Sequence, residues 1–230
     1  MVSHELKCIF VHIPKVAGTS IKSLFEGHSA SESEHDPMPF KPNDSKFDPP
    51  PPHLRATDHL KFGHVTASQF DTYFKFAFVR NPWDRIVSEY VYRRYPSRFD
   101  FKTFLFERLP RPAWSDEYCH IIPQYDFVHD EAGHLVVDFV GRFESIAADF
   151  SAVKERLGLT RLSMPHRNRS SDSMTIYGPA DFVRQVGYMI SRRRRRNTYS
   201  NYRDYYDSES RAFVAELYEK DIRAFKYSFE

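Results

Sequence analysis

A chain of 230 residues with 41% apolar and 16% aromatic side chains can bury a substantial core, and its length suits one domain, residues 1–230, carrying insertions. Its 33 basic and 31 acidic residues nearly cancel, so an anion site has to come from local clustering, and nucleic acid is not an expected partner. No window approaches the roughly 20 consecutive apolar residues that cross a bilayer, and MVSHELKCIFVHI lacks the layout of a signal peptide. Cys8 and Cys119 form no CxxC pair, so free thiols in a soluble, cytoplasmic protein are expected.

The first element is CIFVHIPKVAGTSIKSLF, Cys8 to Phe25. An apolar run meets Pro14, Lys15 and the small residues Ala17, Gly18, Thr19 and Ser20, after which Ile21, Leu24 and Phe25 fall at helical spacing. This predicts strand, tight loop, helix. Such a loop aims the unpaired N–H groups of a helix's first turn at whatever sits above it, and Lys15 adds a full charge. The same residues also suit an ordinary strand-to-helix turn. Residues 27–55 then lose periodicity and fill with Ser, Asp and Pro, including Pro49 to Pro52, as a surface excursion does.

A second strand is predicted at Tyr73 to Val79, ending in Arg80. Asn81 and Pro82 then open a helix in the preferred order of N-cap and N1, with Asp84 at N3. Phe101 to Leu109 reads as a short helix, Leu135 to Phe143 carries another strand, and Ser145 to Leu157 is an amphipathic helix stopped by Gly158. Ser208 to Phe225 reads as one helix with Asp221 on its apolar stripe, where a carboxylate has to accept hydrogen bonds from an Arg or from loop amides. Strands alternating with helices predict an α/β fold, a central and mainly parallel sheet flanked by helices in three P-loop-like layers.

Two strand-to-helix joints therefore end in charged residues, at the sheet edge where ligands bind in open parallel sheets. The first is not a Walker A loop, because Lys15 precedes Gly18. At the second, FVRNPWDRIVSEY, Arg80 with Arg85, Ser88 and Tyr92 along the next helix suits a terminal phosphate monoester. One loop and one separate phosphate pocket describe a nucleoside with phosphates on both sides.

Together HIPKVAGTS and RNPWDRIVSEY resemble the sulfotransferases that use 3′-phosphoadenosine 5′-phosphosulfate (PAPS). Their form is similar to the carbohydrate branch of that superfamily, the heparan 2-O and chondroitin 4-O type, and to its bacterial relatives. The resemblance extends to VGRFESI (140–146), RNRSS (167–171) and YYDSESRAFVAELYEKDIRAFKY (205–227). It implies transfer of a sulfuryl group to a hydroxyl, that of a carbohydrate or glycan, with adenosine 3′,5′-bisphosphate as the second product and no metal. It also implies that Lys15 with Ala17, Gly18, Thr19 and Ser20 holds the 5′-phosphosulfate, that Arg80 and Ser88 hold the 3′-phosphate, and that Asn168, Arg169, Ser170 and Ser171 close over the nucleotide. FGHVTASQF resembles the segment carrying the catalytic histidine of the 2-O-sulfating enzymes, which makes His64 the expected general base and His59 the alternative among 11 histidines. Lys15 is also placed to stabilise the leaving oxygen. Glu144 suits either a second base or a partner for an Arg. The Arg192 to Arg196 run, within a possible basic insertion at 172–200, suits either a solvated face or a glycan contact. The rival functions are a P-loop kinase-like phosphotransferase and a non-catalytic nucleotide or polyanion binder.

Overall fold

The computed structural model describes residues 1–18, 21, 53–113, 115–159 and 199–230. The predicted first helix beyond Ile21, nearly all of the 27–55 excursion, RNRSS and the Arg192 to Arg196 run lie outside the described residues.

Among the described residues four strands form one sheet in the order β1 (Val2–Ser3), β2 (Cys8–Val11), β3 (Phe74–Val79) and β4 (Phe139–Arg142). β2, β3 and β4 run parallel, with Cys8 opposite Phe74 and Phe76 opposite Phe139. β1 is antiparallel to β2, so the sheet is mixed where the sequence pattern predicts a mainly parallel one. A two-residue edge strand is too short to show a period of its own. Its direction follows from the tight turn that leads back to Cys8, with Lys7 at φ +47°. Ile9, Phe10, Val11, Phe76, Ala77 and Phe78 are all 0% exposed, which is why β2 and β3 read as continuous apolar runs instead of alternating ones.

The buried Lys75 is the exception in β3. Its ammonium donates to the carbonyls of Phe70 and Tyr73 and pairs with Asp138 at 3.2 Å, so the charge is not stranded in the core. Helices α1 (Ala56–Lys61) and α2 (Ala67–Thr72) lead into β3. α3 (Pro82–Tyr92) leaves it, with Asn81 accepting from the Trp83 amide as N-cap and Pro82 at N1, as the sequence predicts. α4 (Phe101–Glu107) and two single turns, α5 (Asp116–Cys119) and α6 (Tyr125–Val128), follow before β4. α7 (Ile146–Arg156) ends before Gly158, whose φ of +70° is a conformation that favours glycine.

The C-terminal helix predicted as one piece is two: α8 (Ser208–Leu217) and α9 (Glu219–Phe225), broken at Tyr218. The buried Tyr218 hydroxyl donates to the Ile121 carbonyl at 2.9 Å, while Asp221 turns toward residues 124 and 125. Two buried clusters result. One wraps the sheet, and the other lies between α3, α4 and α8 around Ile86, Tyr90, Phe104 and Val214. Among the described residues no helix is long and apolar enough to cross a membrane.

Candidate active site

β2 ends at Val11, and the chain turns through Pro14 to Gly18 at the carboxyl edge of the sheet. Lys15 and Ala17 adopt φ of +69° and +64°, on either side of the fully buried Val16. Side chains with a Cβ pay about 1–3 kcal/mol for that conformation, so something has to hold it. Arg85 of helix α3 and Arg80 just before it do so. Arg85 Nε donates to the Pro14 carbonyl and Arg80 Nη1 to the Lys15 carbonyl, both at 3.2 Å. A helical turn then starts, with the Ile21 amide donating to the Ala17 carbonyl. Backbone that changes hand in this way collects N–H groups on one side, the geometry of an anion-binding concavity. Gly18 lies flat against the His12 imidazole, where a Cβ would meet Nε2 at 1.8 Å, so only glycine fits.

Of the residues expected at this loop, the structure places Lys15, Ala17 and Gly18 together. Thr19, Ser20 and the whole segment Asn168 to Ser171 lie outside the described residues. Lys15 Nζ stands 3.6 Å from the centre of the Tyr92 ring, so its partner among the described residues is a π face. Burial lowers its pKa to about 8, with Glu89 pulling it up and Arg80, Arg93 and Arg85 pushing it down.

The second joint is held from behind. The Gln124 carboxamide accepts from the Arg80 amide and donates to the Arg80 carbonyl, both at 2.8 Å. The fully buried Asp221 fixes Gln124 in turn, accepting from its amide at 2.9 Å and from its side chain at 3.2 Å, and from the Tyr125 amide at 2.7 Å. Loop amides are thus the partners Asp221 needs, as one of the two sequence options has it; burial still raises its pKa. Arg80 bonds Asp84 at 2.7 Å and lies 4.2 Å over the Phe143 ring. Among the described residues, two of its five N–H groups are used, by Asp84 and the Lys15 carbonyl. Ser88, half-buried, lies one helical turn beyond Asp84 and one before Tyr92, on the face turned to the loop.

Arg85 departs from the expectation of a phosphate fork. It is 1% exposed, and it donates to the carbonyls of Pro14, Ile122 and His120. The helical phase sends residue 85 inward under the loop, while residues 80, 84 and 88 stay on its open side. Glu144 is a structural acceptor as well, taking the Asn81 amide at 2.6 Å and the Tyr227 hydroxyl at 3.0 Å.

His64 packs against His59, with the two Nδ1 atoms 3.3 Å apart, and its Nε2 is buried. His59 is itself buried, and burial, the N-terminal amine and His64 lower its pKa to about 2, so it is a neutral ring at working pH. His59 Nε2 lies 3.5 Å from the Met1 amine, which donates to the Phe10 carbonyl. His59 therefore lies beside Phe10, one residue before the end of the strand that leads into the Lys15 loop.

A different pair of imidazoles lies next to that loop. His53 Nδ1 donates to the His12 carbonyl at 2.9 Å, and His120 Nδ1 lies 2.7 Å from Glu89 Oε2. The His120 ring stacks on Tyr92 at 5.9 Å and meets His53 edge-on at 4.9 Å. Arg93 bridges Glu89 and Asp116, each at 2.7 Å. Burial lowers the His53 pKa to about 4, partly opposed by the His12 carbonyl. It would raise that of Glu89, but the hydrogen bonds from His120 and Arg93 outweigh it and hold the carboxyl below its ordinary value. The sequence analysis misses this group. Asp116 and His120 at i, i+4 are a local signal, whereas nothing in the pattern joins either to His53 or to Glu89.

A loop of backbone amides and one half-buried lysine at the carboxyl edge of parallel strands, backed by an arginine, fits a phosphate-like or sulfate-like group. Comparison with known proteins agrees. The profile of the Sulfotransferase family matches residues 1–228. An uncharacterized protein of Archaeoglobus fulgidus is 33% identical over 92 residues, 39% of this chain and 72% of that protein. No solved structure matches significantly. With the family profile running from the first strand to the last helix, and both of the joints just described inside it, this chain belongs to the sulfotransferase family.

Proposed function

We propose that this sulfotransferase moves a sulfuryl group from PAPS to a hydroxyl, that of a carbohydrate, within a single P-loop-like domain. The observation that carries the donor site is the pairing of Lys15 and Arg80: a loop bent through two left-handed residues, whose lysine faces outward across Tyr92 while Arg80 grips its carbonyl from the next joint. In this reading Lys15 and the amides around Ala17 and Gly18 hold the 5′-phosphosulfate, with Thr19 and Ser20 completing the turn. Arg80 and Ser88 take the 3′-phosphate, and Asn168, Arg169, Ser170 and Ser171 cover the nucleotide. About 15 Å of helix separates Pro82 from Tyr92, room for a ligand with anionic groups at both ends. The carbohydrate acceptor is supported by the form of the two motifs.

The donor supplies an electrophilic sulfur and a phosphate leaving group. In-line transfer then asks the protein for positioning, for positive charge at the departing oxygen and for a base at the attacking hydroxyl. Lys15 supplies the charge. His64 supplies the base, and for that its ring has to turn out from His59 when the acceptor binds.

The test is label transfer from PAPS, with ATP as the competing donor, over a panel of glycans and simple alcohols. Expected are sulfated products, a loss of about 100-fold in Lys15→Met, and a loss of at least about 100-fold in His64→Ala with donor affinity intact. Transfer of phosphate from ATP in place of sulfate overturns the reading. Full turnover in His64→Ala overturns the base alone.

A further inference from the structure

The imidazole cluster beside Lys15 is not used by the proposed transfer, and its geometry has a chemistry of its own. One ring nitrogen each of His53 and His120 and one carboxylate oxygen of Asp116 lie within 4.8 Å of one another. Both rings are fixed in the tautomer that frees Nε2. His53 faces a carbonyl through Nδ1, which obliges Nδ1 to carry the proton, and His120 gives its Nδ1 proton to Glu89. Imidazole held by an oxygen acceptor on the far nitrogen is the arrangement of metal-bound histidine, in which the outer partner sets tautomer and orientation. Asp116 divides its oxygens in the same sense: Oδ2 is taken by Arg93 at 2.7 Å, while Oδ1 lies 3.5 Å from His120 Nε2.

We propose that His53 Nε2, His120 Nε2 and Asp116 Oδ1 form a three-ligand site for a divalent ion of the zinc class, with Glu89 and the His12 carbonyl as its outer support. Two neutral nitrogens and one carboxylate suit zinc, cobalt or nickel, whereas magnesium and calcium favour all-oxygen sets. Bond lengths near 2.0–2.1 Å ask each ligand to move inward by about 1 Å or less. The half-exposed Asp116 side chain and the half-buried His53 leave the motion room. A cleft of about 260 Å³ lined by His53, Ser115, Tyr118 and Cys119 opens beside His53. Three protein ligands leave a fourth position for an oxygen atom. The His120 ring stacks on Tyr92, whose ring also meets the lysine of the anion loop.

The test uses the full chain stripped with a chelator and titrated with Co(II), followed by its visible d–d absorption, then by displacement with Zn(II). Because the readout is the bound ion, the outcome is independent of whether sulfate is transferred. Expected are one equivalent bound at micromolar or tighter Kd, a loss of about 100-fold in His53→Ala, and about tenfold in Glu89→Gln, which weakens the outer hydrogen bond to His120 and the ion pair to Arg93. Asp116→Asn, at an exposed carboxylate, keeps the test valid if His53→Ala does not fold. Absence of one-equivalent uptake, or uptake unchanged by His53→Ala and Asp116→Asn, overturns the proposal. So does the finding that His120 is an imidazolium clamped between Glu89 and Asp116, which leaves Nε2 without a lone pair and gives no cobalt spectrum.

Discussion

The two halves of helix α3 face the same loop and do opposite work. In the first half Arg85 spends its guanidinium on the carbonyls of Pro14, Ile122 and His120, and Asp84 accepts from Arg80, which precedes the helix and also donates to the Lys15 carbonyl. In the second half Tyr92 offers a π face to Lys15, and Glu89 orients an imidazole. The first half consumes charge to fix backbone. The second leaves an ammonium on a π face and holds one imidazole by a carboxylate. One helix thus carries both the strut that holds a strained loop and the groups that make the loop reactive, and substitutions in the two halves should have different signatures.

The largest expected effect is on the strut. Arg85→Met leaves three carbonyls without a buried donor and should cost about 3–5 kcal/mol, read as a fall in Tm of roughly 10 °C or more. A melt unchanged within a degree would place the stability of the loop elsewhere. Next is the charge on Lys15. Burial brings its pKa to about 8, so the free protein loses the ammonium as pH climbs through that value, whereas a bound dianion pulls the proton back. Donor Kd should therefore be level below pH 8 and rise by up to about tenfold per pH unit above it, and Lys15→Met should flatten the profile. A wild-type profile that is level to pH 9.5 separates Lys15 from the anion. The smallest effect lies between the halves: Ser88→Ala removes one neutral hydroxyl contact and should raise donor Kd about fivefold, with Tm unchanged. An equal loss for a ligand lacking the 3′-phosphate would show that Ser88 acts on something else.

Much of this architecture is legible in the chain because its causes are local. The apolar run before Pro14, the N-cap Asn81 followed by Pro82, and the Gly158 stop are each decided within a turn or two of backbone, and all three appear where expected. The helix break at Tyr218 is not legible, since the stripe of Val214, Leu217 and Ile222 continues through it. What breaks the helix is a hydrogen bond to Ile121, 97 residues away. The same limit applies to Arg85. The motif shows an arginine one turn into a helix, but whether it meets a ligand or three carbonyls depends on which side of α3 the loop packs.

The sequence by itself determined the two strand-to-helix joints, Lys15 and Arg80 at their ends, and through them the family, because loop length, glycine and capping chemistry act between neighbours in the chain. Tertiary structure alone decided that β1 turns antiparallel, that Arg85 is a strut and that His64 packs against His59. It alone brought His53, Glu89, Asp116 and His120 beside the lysine. Those outcomes rest on contacts between segments tens of residues apart, and side chains that meet only across a fold leave no period or spacing in the sequence to announce it.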